Sequence, residues 1–212
     1  MEKTLFQQLA LKLQDLSEKG TPNIETAASP KRKEFLSDAH SKKTVYSPAA
    51  VLICCYPNAK GDYLFPIIKR QDYSGVHSNQ MGLPGGKPIQ QDNSLWQTAL
   101  RECDEELGIH SSKIIRVGTL SDVLIPPSQF KVTPFVAQLD FEPNIVLDNR
   151  EIAKFYQLSL KELVQLDISH KKMILDQKEL QVPGFEFESE FIWGATAMML
   201  YEFKEILKHL IK

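Results

Sequence analysis

The stretch from Gly82 to Ile109, GLPGGKPIQQDNSLWQTALRECDEELGI, limits what this chain can fold into more than any other. Ser94 followed by Gln97 has capping-box spacing, and Gly108 stands where a helix stops, so residues 94–107 are expected to be helical. At about 100° per residue, Leu95, Trp96, Ala99, Leu100, Cys103 and Leu107 span roughly 140° of one side. That stripe needs another layer to cover it. By the same arithmetic Glu102, Glu105 and Glu106 fall within an arc of about 100° that overlaps the stripe's edge. These carboxylates should therefore be partly sheltered. Three of them within one turn repel each other and cost helix stability. A hard divalent cation such as Mg²⁺, which takes oxygen ligands, would offset that repulsion. Arg101 can pair with one acid and fix its orientation. Alone, RECDEEL is explained by a solvated charged face. The preceding Pro84-Gly85-Gly86 elbow shifts the reading, because glycines let backbone approach a phosphate or a metal closely.

The surroundings point to a layered domain. AAVLICCY, bounded by Pro48 and Pro57, suits a buried strand. Asn58 to Asp62 reads as a turn into a second strand, YLFPIIKR, making a hairpin. Further strands are expected around Ile114–Val123, Phe130–Leu139 and Ile152–Leu158, a short helix at Leu160–Leu166, and a last helix from Gly194 to about Leu210. Mixed strands and helices imply an α/β (α+β) fold. Ahead of it, Leu5, Leu9, Leu13 and Leu16 recur at helical spacing, so residues from about 3 to 18 form an amphipathic helix ended by Gly20. Its stripe packs either on its own domain or on a second subunit, as in a homodimer. The polar stretch Thr21 to Ser47 reads as a linker or wrapping arm, with Lys31, Arg32 and Lys33 on a solvated face. The expected division is 1–45, helix and arm, and 46–212, the main domain.

A net charge of −2 gives no sign of a nucleic-acid partner. No window approaches ~18 uninterrupted apolar residues, and the N-terminus lacks the pattern of a secretory signal, so no membrane partner is expected. Three cysteines without CxxC spacing read as reduced, buried thiols of a cytoplasmic protein.

The glycine elbow and acidic helix together resemble the Nudix box, of general form GX5EX7REUXEEXGU with U aliphatic. Gly86 starts it, Arg101-Glu102 match RE, Glu105-Glu106 match EE, and Gly108-Ile109 match GU. Cys103 takes the aliphatic position. Asp92 stands where the general pattern has Glu, with one extra residue before Arg101. That variation resembles the coenzyme A pyrophosphatase branch of the family. Ile67 to Lys87 is similar to the branch's upstream signature: Arg70, His77 and Gln80 match, whereas Asn79 and Leu83 replace the usual Gly and Phe. PPSQFKVTPFV and FIWGATAMML also resemble branch segments, so the likeness covers about residues 46–210. Ile89 stands where the family commonly has an acid.

The resemblance implies a Nudix-type α/β/α sandwich with a mixed β-sheet, and Mg²⁺- or Mn²⁺-dependent hydrolysis of a diphosphate bond. The implied partner is a small nucleotide, coenzyme A or a derivative. Expected metal ligands are Glu102, Glu105, Glu106 and the Gly86 carbonyl. Glu105 is the expected general base, with Glu102 and Arg101 beside it in the catalytic set. Arg70, His77, Gln80 and Lys87 are the expected substrate contacts, Arg70 and Lys87 through phosphate oxygens; each can also be an ordinary loop or surface residue. Glu151 reads either as a distal acid near the metals or as a polar residue before a strand. Trp193-Gly194 is assigned to core packing. The alternatives are a Nudix hydrolase of ADP-ribose or another nucleotide, and a catalytically silent nucleotide-binding module.

Overall fold

The computed structural model describes residues 4–19, 24–32, 44–71, 80–175 and 177–211. His77, Asn79, Gly20 and Lys33 lie outside them. In chain order come α1 (Leu5–Lys19), β1 (Ser47–Pro57), β2 (Tyr63–Arg70), β3 (Met81–Gly82), β4 (Gly85–Gly86) and α2 (Leu95–Leu107). Then follow β5 (Ile115–Thr119), β6 (Val123–Ile125), β7 (Phe130–Gln138), β8 (Ile152–Ser159) and α3 (Leu160–Gln165). The described chain closes with β9 (Ile168–Leu175), β10 (Lys178–Phe187), β11 (Glu190–Trp193) and α4 (Gly194–Leu207).

β1 is the central strand. Its Ala50, Leu52, Cys54 and Tyr56 pack with Ala99, Cys103 and Leu107 of α2, and its Ala49, Ile53 and Cys55 pack with residues of α1 and α4. Burial on both faces is why the run is continuously apolar rather than alternating. Helices cover both faces of the sheet, giving the expected sandwich. The sheet is mixed: its main path runs β3-β2-β1-β7-β5, with β4 on β1, β6 on β7 and β8 on β2. β1 and β7 are parallel from Ser47↔Phe130 to Cys55↔Gln138.

On its other edge β1 changes partner. Ala50 and Val51 pair with Gly86 and Gly85 of β4, whereas Tyr56 and Pro57 pair with Leu64 and Tyr63 of β2. The β1–β2 hairpin is closed by Asn58, whose side-chain oxygen accepts from the N–H groups of Lys60 and Asp62 at 2.9 Å each. Where β2 and β4 diverge, the sheet opens into a cleft.

The leucine stripe of α1 is spent on this same body: Phe6, Leu9 and Leu13 are buried, and Leu13 fills the space above Gly118 of β5. The single strand expected over Ile114–Val123 is instead two, β5 and β6. Between them the Ser121 N–H and hydroxyl donate to Glu202, a fully buried carboxylate of α4, at 3.0–3.1 Å. That buried acid takes the Ser121 N–H out of the ladder, while the Leu120 N–H still donates to the Pro134 carbonyl of β7 at 2.9 Å. α4 ends at Leu207 rather than near Leu210. A second, antiparallel sheet, β9-β10-β11, has no counterpart in the sequence reading. Its strands carry lysines, Pro183 and Gly184, which blur a period of two.

Candidate active site

α2 is capped much as its sequence suggests. The Ser94 hydroxyl accepts from the Gln97 N–H at 3.2 Å, but the Gln97 side chain returns its bond to the Asn93 N–H, one residue earlier than a capping box would. Gly108 is left-handed, φ 69°, and donates to the Asp104 carbonyl at 2.8 Å. The helix buries Ala99, Cys103 and Leu107 as expected, and Thr98 as well, while Leu100 is only half-buried.

The elbow is built on β1. Gly85 has φ +153°, and a Cβ there would collide with the Ala50 carbonyl and with Val51. A Cβ on Gly86 would occupy the position of the Glu102 carboxylate. These two glycines let the α2 acids lie directly against backbone.

The three glutamates differ sharply in environment. Glu106 is 2 % exposed; its Oε2 accepts from the Gly85 N–H at 2.9 Å, and its Oε1 lies 3.3 Å from Arg70 Nη2 outside hydrogen-bonding geometry. Its carboxyl is raised to about 7: burial pushes it up most, Arg70 and the Gly85 N–H pull it down, and Glu102 and Glu151 add to the rise. Glu102 is mostly covered and also raised, first by burial and then by Glu105 and Glu151, against the pull of Arg101. Glu105 is 58 % exposed. Expected as a partly sheltered trio, the acids form a gradient from core to cleft.

Arg101 ties this turn together. Its Nη1 reaches Glu105 Oε2 at 2.8 Å and Glu102 Oε1 at 2.9 Å, and its Nη2 donates to the Lys87 carbonyl at 2.9 Å and to Asp92 at 3.1 Å. Asp92 also accepts from the Ile89 N–H and the Thr98 hydroxyl, each at 3.0 Å, and Arg101 holds its carboxyl below the usual range. Asp92 thus anchors the arginine and the loop ahead of α2.

A cleft of about 1190 Å³ opens beside the elbow. Arg70, Gln80, Gly86, Lys87, Glu102, Glu105 and Glu151 all line it. Arg70 also donates to the Gly85 carbonyl at 2.8 Å, and the Lys87 ammonium sits 4.7 Å above the Phe130 ring. Glu151 is close enough to raise both Glu102 and Glu106, so it belongs to the same electrostatic cluster. Ile89, 45 % exposed, lies at the rim.

Trp193 and Gly194, assigned above to core packing, line the cleft instead, because β11 delivers the chain to α4 along this wall. Arg32, assigned to a solvated face, turns inward: its side chain is 11 % exposed and also lines the cleft. Ser29, Phe130 and Met173 line it too and went unrecognised in the sequence. A short turn ahead of β1 and a strand with no clear period carried no signal for them.

Among the described residues no three His, Cys, Asp or Glu side chains stand together as a ready-made metal cluster. In this state Arg101 and Arg70 take up the carboxylates. The donor set nevertheless fits a hard divalent ion: carboxylate oxygens, an elbow glycine with Glu102 lying directly against it, and a buried Glu106 oxygen without a hydrogen bond.

The NUDIX domain model matches residues 46–177. The chain belongs to the Nudix family and is a hydrolase acting on pyrophosphate bonds of nucleoside diphosphate compounds, a family that generally uses divalent metals. It is 30 % identical over 174 residues to an uncharacterized Nudix hydrolase NudL of Yersinia pestis, covering 81 % of this chain and 85 % of that one. With the Yersinia enterocolitica NudL it is 34 % identical over 140 residues, 63 % of this chain and 69 % of the relative. The fold is similar to that of the M. smegmatis Nudix hydrolase RenU, with a TM-score of 0.53 at 16 % identity over 77 % of this chain and 86 % of that one.

Proposed function

We propose that the protein hydrolyses coenzyme A or a derivative at its diphosphate, releasing 4′-phosphopantetheine and adenosine 3′,5′-bisphosphate, with Mg²⁺ or Mn²⁺ bound. The observation that carries this reading is the cleft itself. Glu102, Glu105 and Glu151 line it beside the elbow, and the apolar side chains of Phe130, Met173 and Met199 line it as well. A substrate suited to it has a diphosphate joined to a long, largely uncharged arm.

In this reading Glu102, Glu105, Glu106 and the Gly86 carbonyl hold the metal. Held by these residues, a divalent ion would supply charge neutralisation of the diphosphate and a lowered water pKa. Arg70 and Lys87 orient the diphosphate oxygens, and Gln80 and His77 are further substrate contacts. Glu105, the most exposed acid, accepts a proton from the attacking water as its oxygen bonds to phosphorus and the bridging P–O bond breaks. Arg101, fixed by Asp92, aims Glu105 and Glu102. Three free, buried cysteines suit a reducing compartment, the cytoplasm.

A substrate panel tests the assignment. Purified protein with Mg²⁺ or Mn²⁺ is given coenzyme A, ADP-ribose, a dinucleotide and a dNTP, and products are identified by mass. Coenzyme A should be the best substrate and give the two named products. Equal or faster turnover of ADP-ribose or a dNTP overturns the substrate while keeping the chemistry. Absence of both turnover and metal uptake identifies a silent module.

A further inference from the structure

The lining of the cleft includes two polar residues supplied by the N-terminal arm, Ser29 and Arg32. Residues 24–32 form a 3₁₀ turn, Ile24–Ala27, followed by a tight turn in which the Arg32 N–H donates to the Ser29 carbonyl at 2.9 Å. Ala27 is fully buried and Ile24 packs on the same core, which fixes the arm to the body. Ser29 and Arg32 then face the cleft together, on a wall otherwise made of Leu124, Ile125, Pro126 and Pro127.

Neither side chain has its hydrogen bonding filled by the described residues. The Ser29 hydroxyl is buried and has no partner. Arg32 uses Nε on Glu25 at 2.9 Å and Nη1 on the Leu124 carbonyl, leaving the Nη2 edge of its guanidinium without an acceptor. A buried hydroxyl without a partner is unfavourable until something bonds it. A planar cation held through Nε and Nη1, with Nη2 left to donate, suits an incoming oxyanion. Glu25, 38 % exposed, accepts from Nε and so helps to orient the guanidinium.

We propose that Ser29 and Arg32 form a second anion subsite, taking a phosphate monoester carried by the nucleotide away from the scissile diphosphate. The subsite lies outside the family-matched segment and rests on the coenzyme A reading in one respect, since that nucleotide carries such a phosphate at its 3′ position. It makes the arm a determinant of which nucleotide is retained.

The test compares adenosine 3′,5′-bisphosphate with adenosine 5′-monophosphate by calorimetric titration of the full chain, so it does not depend on turnover. Wild type should bind the bisphosphate on the order of tenfold more tightly, the scale of one charge-assisted contact. Arg32→Gln should collapse that ratio toward one, Arg32→Lys should restore part of it, and Ser29→Ala should reduce it. A ratio unchanged in Arg32→Gln overturns the subsite, as does a wild-type ratio of one. Thermal melting of each variant identifies any that fails to fold; in that case the wild-type ratio and Ser29→Ala decide. If the ratio behaves as expected while coenzyme A is not cleaved, the subsite stands and only the substrate assignment falls.

Discussion

The buried Glu106 carboxylate accepts a hydrogen bond from the Gly85 backbone N–H at 2.9 Å. This bond joins the two halves of the Nudix box across 21 residues of sequence, elbow to helix. It also holds an acid where water cannot solvate it, and that has a pH signature.

Without metal, the Glu106 carboxyl is raised from an ordinary 4.5 to about 7, chiefly by burial. A carboxyl raised on folding contributes stability that is full below the unfolded value and lost as pH rises through the folded one. Between about pH 4.5 and 7 the metal-free protein should lose stability relative to Glu106→Gln, by up to about 3 kcal/mol at ~1.4 kcal/mol per unit. Thermal melts of both proteins across this window, in chelator, provide the check. Parallel curves would show that Glu106 is ionised without cost. Metal binding needs the ionised carboxylate, so affinity should climb over the same window.

Glu105→Gln should cut turnover by about a hundredfold or more, the scale of a lost general base, while leaving melting nearly unchanged. The side chain is largely exposed and contacts Arg101. Steady-state kinetics beside a melting curve separates the two effects. Full activity in the variant removes Glu105 from the reaction.

The two elbow glycines should fail differently. Gly85→Ala forces a Cβ onto the Ala50 carbonyl and a left-handed φ onto alanine, so the fold should weaken by at least 1–3 kcal/mol. Gly86→Ala presses on the Glu102 carboxylate, a side-chain end that can move. It should therefore weaken metal binding more than it lowers the melting temperature. Chemical denaturation and metal titration of both variants test the contrast, and equal losses on both readouts would contradict it.

α1 is part of the body and not a detachable arm. Leu13→Ala empties the space over Gly118 and should cost about 2–3 kcal/mol, whereas Leu11→Ala, at a 49 % exposed site, should cost almost nothing. Urea unfolding measures both. Similar, small effects would mean that the helix contributes little to the core.

Much of the fold was legible wherever one period dominated. The apolar run 49–56, the Asn58 turn and the capped α2 each carry local chemistry that permits few conformations. The acids and Arg101 could be grouped because they share one helix, and their common arc follows from its pitch. What stayed hidden depends on distant partners. Nothing near Ser121 announces that a buried Glu202 will break a strand there. Nothing in Lys31-Arg32-Lys33 says which cation turns inward; the Leu124 carbonyl, 92 residues away, decides it. The β9–β11 sheet is held by pairing between neighbouring strands, and its lysines and Pro183 mask the alternation that would reveal it. Glu106 was expected at the stripe's edge, but its complete burial required knowing that Gly85 would meet it.

The central claim is that the glutamates of α2 hold a divalent ion beside the elbow, and Mn²⁺ titration followed by electron paramagnetic resonance measures this most directly. Wild type should bind Mn²⁺, Mg²⁺ should compete for the site, and Glu102→Gln and Glu106→Gln should each weaken binding severalfold or more while remaining folded. Unchanged Mn²⁺ affinity in both variants would contradict the account.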